Sequence, residues 1–397
     1  MSNITILLCM LGLLITFNLF FLGFGIRIHA SDFIVPIMSI MALKQTSFRD
    51  TLKSLDVWII IVIFTSVLLI GAASHWLHYG EVNFWSIKKI VGWCICIGYF
   101  LVGISLYEKR QYCLQMFIIA SWIMGALCIL GCLFDGTRPY FSYNNAVTRL
   151  QGLMGNPNAY GIFYTVALSL QITLNKSLPY KKNIKQAGML LLALNLLGSS
   201  SRTAWGAFFI TYLIYAIRTG IVKQFLIAAT IFSTVFFSTM LLVVQTKFIE
   251  THFYKFYHYF AYLKIAMANC LIYSMEERIK TLHALIPTFF EHFIIGIGLG
   301  GAMTLHHGQE QHTIHSTTLW FLIEMGIIGF AAVTWFAYKL ATALRTSQDT
   351  TIKALTFPMI SFAIASLANE LFYQRYFWLF AGMIMCEWIK QSQQEKN

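Results

Sequence analysis

Charge is scarce in this sequence. Of 397 residues only 11% are Asp, Glu, Lys or Arg, and the 16 acidic residues are outnumbered by 28 basic ones. An ordinary soluble domain is about 25% charged and about 45–50% apolar. Here the apolar share is 58%. That imbalance excludes a disordered chain, a coiled coil, a secreted disulfide scaffold and an ordinary soluble enzyme. Several other signals are missing. The N-terminus has no early Lys or Arg and no small-residue cleavage site, so it reads as a first anchor and not a removed signal. No internal repeat, low-complexity tract or second soluble domain is visible. The eight cysteines show neither zinc nor redox spacing, and a buried thiol is usually a small hydrophobe.

What is present is a series of long apolar runs. A helical span needs about 20 apolar residues. The runs fall near 4–26, 30–43, 57–74, 90–107, 114–134, 158–174, 186–200, 203–217, 225–245, 316–338, 354–370 and 376–391. They are continuous and not alternating, which excludes a β-barrel. The expected fold is therefore an all-α polytopic membrane protein with about 12 transmembrane helices. Residues 1–245 would supply the first nine, 246–315 one long loop, and 316–397 the last three. The net charge of +12 would suggest nucleic acid for a soluble chain; here it serves topology, so no nucleic-acid partner is expected. One set of connections holds Lys44, Arg49, Lys109, Arg110, Lys181, Lys182, Arg218 and Arg345, and the opposite set is much poorer in Lys and Arg. By the positive-inside bias both termini are cytoplasmic. All 11 histidines then lie on the outer side or in outer span ends. The loop is too long for a plain linker. Its aromatic stretch, Phe248–Leu285, suggests helices lying on the membrane face.

Polar residues at the outer side are the candidates for chemistry. Ser199-Ser200-Ser201-Arg202-Thr203-Ala204-Trp205 sits between two short spans. An Arg there is costly unless it snorkels, pairs or binds an anion; the plainer alternative is an interfacial anchor beside Trp205. In the loop, Arg278 and Leu282 would share a helical face, with a solvated charge cluster of Glu276, Glu277 and Lys280 as the plainer alternative. His315 stands at the entrance of the tenth span. It can exchange a proton near neutral pH, or it can merely help cap that helix with Ser316. Arg149 precedes Gly152, Gly155 and Asn156-Pro157-Asn158, a turn that opens a helix; Arg149, Asn156 and Asn158 are candidate substrate contacts, though a structural corner explains the Asn and Pro as well.

Two further patterns invite a reading. Gly296-Ile297-Gly298-Leu299-Gly300-Gly301 formally matches a dinucleotide fingerprint, but no βαβ unit surrounds it. It reads as a tight turn returning the loop to the bundle. His306, His307, His312 and His315 have spacing that permits zinc, with only Glu310 as a nearby carboxylate. Glu370 lies near Arg375 at another outer span end, and those two are expected to pair.

Together these motifs resemble the O-antigen ligase family and its relatives, the O-antigen polymerases, over roughly residues 141–340. His315-Ser316 followed by Gly326 and Gly329 is similar to the ligases' His motif. Arg278-x-x-x-Leu282 looks like their loop Arg motif. Ser-Ser-Arg before Thr203-Ala204-Trp205 is similar to the family's Ser-Arg-Gly-Ala-Trp, with Thr203 in place of Gly. The resemblance implies metal- and cofactor-free, inverting glycosyl transfer at the periplasmic face of a Gram-negative inner membrane. The donor would be a glycan on undecaprenyl pyrophosphate. For a ligase the acceptor would be lipid A–core oligosaccharide, and for a polymerase another lipid-linked glycan. Other O-antigen assembly proteins are candidate partners. Arg202 and Arg278, with Arg149 as a third, would stabilise the leaving pyrophosphate bidentately. His315 would be the base on the acceptor hydroxyl or a pyrophosphate ligand. The chain lacks the Asp-x-Asp pair of metal-dependent nucleotide-sugar enzymes. A protein-glycosylating relative shares the same core, and a lipid-linked sugar transporter is the alternative from another class. A transporter should carry its polar groups near the midplane; here they cluster at outer span ends.

Overall fold

The computed structural model describes residues 18–22, 26–80, 84–134, 149–223, 289–304 and 314–394, with isolated positions between 226 and 287. Apart from one hairpin, the regular structure among the described residues is helical. The helices are α1 (Ile34–Ala42), α2 (Thr46–Leu52), α3 (Leu55–Tyr79), α4 (Phe84–Ser105), α5 (Arg110–Leu133), α6 (Pro157–Leu174), α7 (Lys182–Gly198), α8 (Arg202–Thr219), α9 (Thr317–Thr346), α10 (Thr356–Ser366) and α11 (Arg375–Gln394), besides single turns. Four stretches are long and apolar enough to cross a membrane: Leu55–Tyr79, Phe84–Ser105, Tyr107–Cys132 and Thr317–Thr346. They coincide with four of the expected runs. Shorter helices occupy the runs near 30–43, 158–174, 186–200, 203–217 and 354–370, and α11 that near 376–391. The run at 225–245 and most of the 246–315 loop lie outside the described residues.

The expected first span needs correction. Its C-terminal part is a β-hairpin, with β1 (Asn18–Leu22) antiparallel to β2 (Ile26–His29) and Leu22 opposite Ile26. Hydropathy measures apolar length, not period. The local sequence is Phe- and Ile-rich and broken by Gly23 and Gly25, which favours strand over helix.

Helices from the two ends of the chain pack together. The α4–α11 pairing is the most extensive. A Cβ on Gly103 would lie 2.1 Å from the Leu379 carbonyl oxygen, and one on Gly382 2.1 Å from that of Phe100. Small residues let helix backbones approach this closely in membranes. Beside them Trp93, Trp378, Phe64 and Phe372 form an aromatic core, with Trp93 and Trp378 ring centres 4.9 Å apart.

The tenth expected run holds the sharpest backbone feature. Inside α9, Gly326 adopts φ 62° and ψ −161°, which breaks the helix. A backbone strip from the loop fills the break. Ile297 N–H donates to the Ile323 carbonyl (3.0 Å), Gly298 N–H to that of Glu324 (3.0 Å), and Ile327 N–H to that of Phe293 (2.9 Å). On its other side Leu299 N–H donates to the Gly71 carbonyl of α3 at 2.8 Å. Gly296, Gly298 and Gly300 all have positive φ. A Cβ on Gly298 would meet the backbone of His75 at 2.4 Å. The glycine-rich stretch is thus a tight turn wedged between α3 and α9. Its glycines serve backbone approach and leave no cradle for a nucleotide.

Candidate functional site

Three helix N-termini are built by their own sequences at one end of the bundle. At α6, the Asn156 side chain accepts from the N–H groups of Asn158 (2.9 Å) and Ala159 (3.3 Å). Pro157 follows as the first helical residue, where its missing N–H costs nothing. Arg149 donates from Nη2 to Oδ1 of Asn158 at 2.9 Å. The segment is stapled to α7 by Leu150 N–H donating to the Gly198 carbonyl at 2.8 Å.

Arg202 is the first residue of α8 and is half-buried. The serines before it form its mount. Ser199 Oγ donates to the Leu196 carbonyl (2.6 Å) and accepts from Ser201 N–H (3.2 Å). Ser200 takes the left-handed φ of 49°. Ser201 caps α8, accepting from Ala204 N–H at 3.4 Å. Trp205 donates to the Leu196 carbonyl at 2.9 Å, so it anchors this corner. A Cβ on Gly161 would lie 2.6 Å from Ser199 Oγ and 2.9 Å from the Ala204 side chain. The starts of α6 and α8 are therefore in close contact, and Arg149 and Arg202 belong to neighbouring helix N-termini. Such ends carry partial positive charge and free N–H groups, which attract anions.

His315 is exposed, directly before Ser316, which caps α9 by accepting from Leu319 N–H at 3.3 Å. Thr317 fixes this corner. Its N–H and hydroxyl donate to the Asn369 carbonyl at 3.1 and 2.9 Å, and its Oγ1 accepts from Leu371 N–H at 2.8 Å. The corner shares an end of the bundle with Arg202. Helix α10 runs antiparallel to α6, with Thr173 bonded to the Ala354 carbonyl and Ser169 to Ser361 (3.0 Å). At 1.5 Å per residue, the continuation brings Asn369 level with the first turns of α6. Arg149, Asn156, Asn158, Arg202 and His315 thus lie at one end. Arg278 lies outside the described residues, as do His306, His307, Glu310 and His312. Among the described residues no group of three or more His, Cys, Asp or Glu side chains is placed to hold a metal ion.

The expected Glu370–Arg375 pair does not form. Glu370 pairs with Lys89 of α4. Arg375 donates to Asp32, from Nη2 to Oδ2 at 2.9 Å and from Nε to Oδ1 at 3.3 Å. Asp32 also accepts from Tyr99 OH (2.8 Å) and His29 N–H (2.9 Å). The true partners come from helices far away in sequence. Lys89 lies over the rings of Trp320 (4.5 Å) and Tyr373 (5.1 Å), which ties this polar cluster to the first turn of α9. Glu324, buried in the middle of an apolar run, accepts from Trp320 Nε1 (2.6 Å) and Gly300 N–H (2.8 Å). A lone acid inside a span is itself a signal, and the sequence reading passed over it.

Breaking the Asp32–Arg375 pair leaves a charge in a site where the side chains are only 8% and 12% exposed. Arg375→Ala is expected to destabilise the protein by about 3–5 kcal/mol, read as a lower melting temperature in detergent. A double Asp32→Asn, Arg375→Ala variant should recover part of that loss; a cycle with both single variants that showed simple additivity would refute the pairing.

No family model matches this sequence, and no curated protein matches it significantly.

Proposed function

We propose that this protein is an O-antigen ligase. It would transfer a glycan from undecaprenyl pyrophosphate to lipid A–core oligosaccharide at the outer face of a bacterial inner membrane. The observation that supports this most is that Arg149, Arg202 and His315 lie at one end of the helical bundle. A departing lipid pyrophosphate gains negative charge as the glycosidic bond breaks. Guanidinium groups at two adjoining helix N-termini suit that charge, because they stay ionised and bind phosphate oxygens in pairs. His315 is exposed at the start of α9, where an acceptor hydroxyl could approach it. As base it would take the proton as the hydroxyl oxygen attacks the anomeric carbon, inverting it, with the pyrophosphate leaving on the lipid.

The test is a lipopolysaccharide gel on cells lacking the gene. Loss of every O-antigen band with accumulation of lipid-linked polymer is the expected result. A core carrying a single repeat unit would identify a polymerase instead. An unchanged ladder would refute both and point to protein glycosylation or transport.

A further inference from the structure

An apolar groove lies between α9 and α10, its floor reaching Phe372 and Phe377 at the edge of the aromatic core. It encloses about 390 Å³, within the range of about 300–1,000 Å³ usual for ligand pockets. Small residues create it. Val333, Ala337 and Ala341 recur along one face of α9, and Met359 and Ala363 along the facing side of α10. The two helices touch only sparsely. Along α10 the lining runs from Thr356 to Ser366, which is roughly 15 Å at 1.5 Å per residue. That is about the hydrocarbon depth of one leaflet, half of roughly 30 Å.

The two ends of the groove differ in chemistry. At the end opposite His315, Arg218 from the last turn of α8 and Arg345 from the last turn of α9 both line the mouth. Both are exposed, and neither forms an ion pair or hydrogen bond among the described residues. At the other end the polar groups are already used. Thr317 Oγ1 bonds Asn369 and Leu371, and Ser366 donates to the Ala363 carbonyl at 2.7 Å. Phe372 and Phe377 complete that end. An arginine at a span end can simply snorkel. Two from different helices converging on the mouth of one single-leaflet apolar groove form instead a basic pocket of the kind that binds anionic lipid headgroups.

We infer that the groove between α9 and α10 is a binding site for an anionic glycerophospholipid, with an acyl chain between the helices and the phosphate on Arg218 and Arg345. A polyprenyl donor with its pyrophosphate near His315 would enter from the other end, where the groove offers no unused charge. The inference does not depend on the proposed transfer reaction.

The test is native mass spectrometry of the detergent-purified full chain, titrated with phosphatidylglycerol and, separately, with phosphatidylcholine of the same chains. One retained phosphatidylglycerol per chain is expected, in preference to phosphatidylcholine. Arg218→Ala with Arg345→Ala should weaken its retention by roughly tenfold or more, since two charge-assisted contacts are lost. Both arginines are exposed, so the variant should keep its fold. Ala363→Trp, which fills the groove, should lower retention of both lipids while both arginines remain. Equal binding of the two lipids, or unchanged retention in the double arginine variant, would overturn the inference. So would displacement of phosphatidylglycerol by undecaprenyl phosphate in the wild type and the double variant alike.

Discussion

Arg202→Ala is expected to lower glycan transfer by roughly 10²–10³-fold, the usual cost of removing one preorganised charge partner from a transition state. The protein should stay in the membrane at its normal level. The side chain is half-buried, and the corner beneath it is held by Ser199, Ser201 and Trp205. None of those bonds uses the Arg202 guanidinium. Arg202→Lys should recover little, because an ammonium is a point charge that cannot span two phosphate oxygens. His315→Ala and Arg278→Ala should likewise abolish transfer. The measurement is in vitro transfer from lipid-linked glycan to lipid A–core, with each variant's abundance checked by immunoblot. Near-normal transfer by Arg202→Ala would remove its assigned role, and the same result for His315→Ala would remove the base.

The second large effect concerns folding. Gly326→Ala should destabilise the protein by roughly 2–6 kcal/mol. Its φ of 62° with ψ −161° belongs to glycine, at about 1–3 kcal/mol for any other residue. The new methyl would also lie 2.3 Å from the Ile294 carbonyl oxygen and 2.7 Å from Gly296 N. Those are backbone atoms in a wedged strip, so displacing them adds about 1–3 kcal/mol more. Gly206→Ala is the control. Nothing lies within 4 Å of its would-be Cβ in the middle of α8, and relief of glycine's helix penalty should stabilise by about 0.5–1 kcal/mol. Fluorescence-detected size exclusion after heating reads both signs. A Gly326→Ala protein as heat-resistant as the wild type would contradict the wedge.

Features carried by length or by a local signature were legible in the sequence. The four longest apolar helices follow from hydropathy. Asn156-Pro157 and Ser316 are caps whose partners lie within three residues. What escaped depends on partners distant along the chain. Gly326 stands out as a glycine in an apolar run, but its break is filled by Ile294–Gly298, some 30 positions upstream, and hydropathy passes smoothly through it. Glu370 and Arg375 look like a pair because they are neighbours in sequence. Their actual partners, Lys89 and Asp32, are 281 and 343 positions away. The hairpin at 18–29 escaped because an apolar segment of that length has no period to show which structure it prefers. At the candidate site, sequence located Arg149, Asn158 and Arg202 but not the close crossing of α6 and α8 at Gly161.

Those long-distance pairs set a schedule for biogenesis. Asp32 and Lys89 emerge from the ribosome early, and their counter-ions come near the end. Synthesis at about 5–20 residues per second leaves Lys89 waiting roughly 14–56 s for Glu370, 281 residues later. During that interval Asp32 and Lys89 lack their counter-ions, and the α4 surface that later receives α11 is bare. A message cut short before codon 370 would make this state permanent. Such a fragment would lack the partners of both charges and the helix that covers α4.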